Sequence, residues 1–302
     1  MADGDHRTLT ELPIAEALPA MQELASRLWT PDTRHHPGQL AWSYAYGEPD
    51  ALGHGPAALL RRDDEVVAWA WAESEDWLEI CVDPIALDAG DAAVAWFLER
   101  AGDRAVRTMA LDTEEHVIAI LDRAGFLPEE ETPWFTHHLL DLAELGDVPV
   151  VPGYSFRHVE AGEADERSAC HRAAWSAPGG TSKVTAAAYE RLMRTPPYRH
   201  ELDWVAVDAA GAMVASATIW LDPLTGVALV EPVGCLPEHR GRGLAGAVSI
   251  AGLLAARDLG GRLGMVCPRG DEGYPVPQRV YQRLGFVPGP RTVTFVRPAL
   301  EP

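Results

Sequence analysis

Residues 237–246, PEHRGRGLAG, set Arg240 and Arg242 among Gly241, Gly243 and Gly246, directly ahead of the apolar run LAGAVSIAGLLAARDL. Glycines let a backbone come close to a ligand, and the first turn of a helix offers unpaired N–H groups and the positive end of the peptide dipole. Two guanidinium groups beside such a turn complete a site for phosphate or pyrophosphate. Upstream, Glu231 is an acid inside the apolar run VALVEPVGC. A carboxylate desolvated in this way rises in pKa and becomes a base near neutrality. Downstream, Tyr281 in VYQRLGF carries a phenol, a weak acid of ordinary pKa about 10.

The loop fits two phosphate templates. Gly241, Gly243 and Gly246 spell GxGxxG, a dinucleotide fingerprint. That motif belongs near the start of a doubly wound parallel sheet, with several further βα units after it. Only 56 residues follow Gly246, and the next strand region, GMVCPRG, lacks an acid for a ribose. A NAD(P)-dependent enzyme is therefore the lesser alternative. The other template, Arg240-x-x-Gly243-x-Ala245, resembles the phosphate loop of the GNAT superfamily of acyl-CoA-dependent N-acetyltransferases. It follows an apolar strand, opens a buried helix, and is followed after about 40 residues by VYQRLGF, similar to that superfamily's Tyr-x-x-x-Gly-Phe helix end.

The resemblance covers residues 153–298 and implies acetyl-CoA as cosubstrate, without a metal. It implies that Val233, Gly234 and Cys235 take the pantetheine arm, and that Arg240, Gly241, Arg242, Gly243, Leu244 and Ala245 take the pyrophosphate. Tyr274 and Gln278 would contact the coenzyme from the start of the tyrosine helix, although the family's Asn and Ala there are replaced by Tyr274 and Pro277. Tyr281 would be the acid and Glu231 the base. Trp175, Gly179 and Gly180 would help form the acceptor pocket. The implied reaction is acetyl transfer to a primary amine of a small molecule or peptide, by direct attack in a ternary complex. A non-catalytic acyl-CoA-binding or sensing protein is the alternative.

These groups need elements to hold them. In the second half, Asp203 to Val207, Met213 to Leu221, Val227 to Cys235, LGMVC and TVTFV read as strands. The run after the loop is apolar nearly all round and reads as a buried helix; PQRVYQRLGF reads as a second, ended by Gly285. Pro232 cannot donate to a ladder, so the strand should bulge and the sheet splay there. In a regular strand Glu231 shares a face with Leu229, Val233 and Cys235. The first half repeats the order: EVVAWAW and DWLEICV as strands, DAAVAWFLERAG as a helix, RTMAL as a strand, EEHVIAILDRAGF as a helix, WFTHHLLDL as a strand. Pro84 and Pro237 lie 153 residues apart, Phe126 and Phe286 160, so the chain reads as a duplication. The expected fold is α/β with two GNAT-like domains, each a mixed, mostly antiparallel sheet flanked by helices and splayed at the cofactor strand. LGDVPVVPGY carries linker punctuation, which puts the join between a degenerate domain at 1–148 and an active one at 149–302. After Pro84 the first half reads IALDAGD, without arginines or paired glycines. That domain is expected to bind no cofactor.

Composition bounds the rest. Forty-five acids against 25 Lys and Arg give a net charge of −20, which argues against a nucleic-acid partner and reads first as a solvated acidic surface, compatible with a cationic substrate. No apolar run reaches the roughly 20 residues that span a bilayer, so no membrane partner is expected. The opening residues lack a signal-peptide pattern and the four cysteines form no CxxC pair, so a cytoplasmic location is expected. Cys235 and Cys267 read as small hydrophobes. Cys170-His171, His35-His36 and His137-His138 have no matched ligands.

Overall fold

A computed structural model describes residues 7–45, 55–130, 132–176, 182–271 and 273–300. In chain order its elements are β1 (Arg7–Leu12), α1 (Ile14–Leu28), α2 (Pro37–Ala45), β2 (Ala57–Arg62), β3 (Glu65–Ala72), β4 (Trp77–Val82), α3 (Leu87–Ala101), β5 (Val106–Leu111), α4 (Glu115–Arg123), β6 (Leu127–Pro128), β7 (Thr136–Asp141), β8 (Tyr154–His158), α5 (Ala164–Ala174), α6 (Ala186–Met193), β9 (Asp203–Asp208), β10 (Met213–Asp222), β11 (Val227–Cys235), α7 (Leu244–Asp258), β12 (Leu263–Val266), α8 (Val276–Arg283) and β13 (Val287–Arg297). No helix among the described residues is long and apolar enough to cross a membrane.

Contacts divide the chain into two compact units. Unit 1 holds the described residues within Met1–Pro37, Leu52–Thr136 and Pro290–Pro302; unit 2 holds those within Gly38–Ala51 and His137–Gly289. Each has the same strand order. In unit 1 it is β1, β2, β3, β4, β5, β13, antiparallel throughout except for the parallel β4–β5 pair. In unit 2 it is β8, β9, β10, β11, β12, β7, antiparallel except for the parallel β11–β12 pair. The mixed, mostly antiparallel α/β duplication is as the sequence implies.

The division does not fall at 148/149. β7 follows the first repeat in sequence, yet it pairs with β12, Leu139 opposite Met265. The end of β13 follows the second repeat, yet it pairs with β5, Phe295 opposite Thr108. The closing strands are exchanged, and α2 also belongs to unit 2. The stretch taken as a linker contributes Leu145, Val148 and Val151 to the apolar core of unit 2.

That core explains α7. Ten of its 15 residues are buried, among them Val248, Ile250 and Leu253. They pack with Ala215, Ala217, Ile219, Ala228 and Val230 of the sheet, each large side chain contributing on the order of 2 kcal/mol. Unit 1 has its own core around Phe97, Ile120, Phe126 and Phe295.

Candidate active site

The site of unit 2 begins with a bulge. Val233 lies opposite Ala217 and Val230 opposite Ile219, so Glu231 and Pro232 together face the single residue Thr218. This is the irregularity expected at Pro232, and it corrects one expectation. Residues paired directly across two strands share a face, so Val233 joins Val230 and Ala228, and Cys235 follows by alternation. Leu229 faces the other way, beside Trp220. The extra residue resets the alternation; Glu231 does not sit on one regular face with Leu229, Val233 and Cys235.

Beyond the bulge the sheet opens. β12 pairs with β11 only at Val227, Ala228 and Leu229, whereas β11 runs on to Cys235. Leu236 N donates to Val214 O, which turns the backbone groups of Gly234 toward β10 and those of Val233 and Cys235 toward the gap. The loop that follows is built around two left-handed glycines, Gly241 at φ 76° and Gly243 at φ 82°, the latter capping α7. Nothing lies within 4 Å of a Cβ at either position, so conformation alone asks for glycine. Leu244 is buried and its side chain serves the core; Ala245 is half-buried.

The two arginines are partly committed to the loop itself. Arg240 Nε donates to Cys235 O at 3.1 Å and Nη2 to Ala174 O at 2.9 Å. It ties the strand end to the end of α5. Arg242 Nη1 donates to the Tyr154 hydroxyl at 2.8 Å, which sits 2.8 Å from His239 Nδ1. Both side chains remain at the exposed face of the loop.

Tyr281 on α8 is 7% exposed, its ring edge-on to Phe286 at 5.7 Å. Burial pushes its phenol above the usual range; a hydrogen bond with Ser249 of α7 opposes this, and Glu231 and Cys267 add to the rise. One hydroxyl therefore senses β11, α7 and the residue just after β12 together. Glu231 is half-buried, and its carbonyl accepts from Trp220 Nε1. Tyr274 is exposed ahead of α8, and Gln278 is half-buried on its first turn. Trp175 caps α5 beside β11: a Cβ at Gly234 would lie 2.8 Å from Ala174 Cβ and 3.2 Å from Trp175 Nε1. Gly179 and Gly180 lie outside the described residues. Ser249, Tyr154 and His239 carried no motif, since each matters only through what the fold sets beside it.

Unit 1 has the same opening and sets polar side chains in it, around a cavity of about 240 Å³ lined in part by His35, Val82, Glu114 and His116. β4 pairs with β5 only at Trp77 and Leu78. Past that point Arg34 forks onto the buried Glu79 and reaches Met109 O at 3.2 Å. His35 Nε2 donates to Ile80 O at 2.8 Å and His116 Nε2 to Val82 O at 3.1 Å. Ile80 and Val82 are the counterparts of Val233 and Cys235, 153 residues on. The carboxylate of Glu114 takes the N–H groups of Leu111 and Arg34 at 2.8 and 3.1 Å. Among the described residues, no group of three or more His, Cys, Asp or Glu is placed to hold a metal.

No family model matches the chain. A mycothiol acetyltransferase of Pseudarthrobacter chlorophenolicus is 27% identical over 223 residues, spanning 69% of this chain and 66% of that protein. Among solved structures, a tandem GNAT protein from the clavulanic acid biosynthesis pathway matches with a TM-score of 0.65 at 18% identity, over 98% of this chain and 100% of that one. This chain has the tandem GNAT fold. A GCN5-related N-acetyltransferase from Sphaerobacter thermophilus also matches, at a TM-score of 0.58 and 19% identity, over 97% of this chain and 98% of that one. Mixed sheets of this tandem GNAT kind are not the doubly wound parallel sheet that the dinucleotide fingerprint requires.

Proposed function

We propose that unit 2 transfers an acetyl group from acetyl-CoA to a primary amine of a small molecule or peptide, by direct attack in a ternary complex. What supports this reading is the gap between β11 and β12, the left-handed glycine turn that follows β11, and the buried Tyr281 phenol beside Ser249 and near Glu231. A slot with outward-facing strand amides on one wall and a helix N-terminus at one end fits an amide-bearing arm that ends in pyrophosphate. Val233 and Cys235 would pair with that arm through their backbones, with Gly234 between them. The N–H groups of Gly241, Arg242, Gly243, Leu244 and Ala245, with Arg240 and Arg242 alongside, would take the pyrophosphate, and Tyr274 and Gln278 would flank it.

Acetyl-CoA supplies an activated acyl carbon and a thiolate leaving group. Glu231 would draw the proton from the incoming ammonium, which has no lone pair until it does so. A backbone N–H of the cofactor strand would stabilise charge on the carbonyl oxygen. Tyr281, held protonated by burial, would protonate the thiolate. Unit 1 would carry no cofactor.

Thiol release from acetyl-CoA with a panel of amines tests this. Tyr281→Phe keeps the packed ring and should lower kcat by about a hundredfold while acetyl-CoA binding changes little. Binding of acetyl-CoA with no release for any amine would make unit 2 a sensor instead.

A further inference from the structure

The cofactor strand is bordered by an aromatic wall assembled from distant parts of the chain. Trp175, 52% exposed, is the piece nearest Gly234. His171, one turn earlier on α5, stacks on it with ring centroids 5.9 Å apart and planes at 30°. Trp42 of α2 meets His171 edge-on at 5.3 Å. α2 is docked closely here: a Cβ on Gly38 would fall 2.1 Å from Trp220 Cβ, and Arg191 Nη2 holds Ala45 O at 3.1 Å. Trp220 in turn donates to the carbonyl of Glu231. The wall thus leads from Trp42 to the strand that carries the proposed base.

The wall is uncharged. Burial, helped by Arg167 and Arg172, lowers the His171 pKa to about 3, so the imidazole is neutral at working pH. The nearby cations are engaged elsewhere. Arg167 is fully buried on Asp203 at 3.0 Å, Arg172 holds Val184 O at 2.7 Å, and Arg240 holds Ala174 O at 2.9 Å. π faces of this kind attract either a cation or another ring. The two differ in consequence for the chemistry. An aromatic cage around the reacting ammonium would hold its proton in place, whereas acetyl transfer needs that proton gone. A ring elsewhere on the acceptor carries no such conflict.

We infer that the acceptor is a primary amine bearing a flat aromatic group that stacks on Trp175, with Trp42 of α2 as a second specificity residue. The inference rests on the acetyl transfer proposed above. The test compares 2-phenylethylamine with n-butylamine, which has similar reach and no ring, on the full chain. The aromatic amine should have a KM lower by about tenfold. Trp175→Ala should remove that advantage, raising KM for 2-phenylethylamine about tenfold and for n-butylamine less than twofold. Trp175→Phe should keep it, Trp42→Ala should act in the same direction, and the KM for acetyl-CoA should not move. Equal KM values for the two amines, or an equal shift of both in Trp175→Ala, would overturn the inference. Tryptophan fluorescence of the CoA-loaded protein reads amine binding without turnover. Selective, Trp175-dependent binding of 2-phenylethylamine with no thiol release would sink the acetyl transfer but not the aromatic subsite.

Discussion

At the scale of residues, the loop divides its work between conformation and charge. Gly243 adopts φ 82° with open space around it. Gly243→Ala should therefore act through strain alone, costing about 1–2 kcal/mol of helix-start stability. A lower melting temperature and a raised KM for acetyl-CoA would check it. Arg240 braces Cys235 O and Ala174 O, so Arg240→Ala should loosen the strand end as well as remove charge. Its KM for acetyl-CoA should rise, and an unchanged KM would leave the loop purely structural. The phenol of Tyr281 is raised by burial, so it stays protonated through and above the neutral range. The kcat–pH profile should accordingly show no alkaline fall from this group below about pH 10. Arg240, Gly243 and Tyr281 were legible because each sits at a fixed offset from a helix boundary. Ser249, Trp42 and the Tyr154–His239 pair were not, because their relevance comes from distant chain segments packed beside the site.

Between elements, β4 and β11 show how one strand pair gives two outcomes. Each parts from its parallel neighbour after two or three residues. In unit 2 the opening presents Val233 and Cys235; in unit 1, His35, His116 and Arg34 take the carbonyls that face it. The composition of IALDAGD announces the missing arginine–glycine loop, but nothing in the spacing of Arg34 and Glu79 announces that they pair in the opening. Titration calorimetry with acetyl-CoA should give one site per chain, and two equivalent sites would contradict the reading of unit 1 as free of cofactor. Glu79 is only 4% exposed, so removing its partner strands a buried charge. Arg34→Met should destabilise by about 3–5 kcal/mol, and Glu79→Leu in the same chain should recover much of it. Denaturation midpoints of the single and double variants decide the matter.

For the whole molecule, periodicity disclosed the duplication and most strands, but not their partners. WFTHHLLDL and TVTFV occupy the same place in each repeat and look alike as strand sequences; pattern does not choose between two equivalent sheet edges. The 148/149 cut followed from that blind spot. A fragment of residues 149–302 lacks β7 and α2, both part of unit 2. It should not fold cooperatively, and a sharp thermal transition in that fragment would show the exchange to be dispensable.

The exchanged strand also bears on synthesis. The edge of β5, Val106–Leu111, waits for residues 292–297 of β13 to be made. At about 5–20 residues per second that is a delay on the order of ten seconds or more, during which an unpaired strand edge leaves the ribosome uncovered. Chaperone contact in the cell should therefore centre on unit 1, the half of the sequence that emerges first and is completed last.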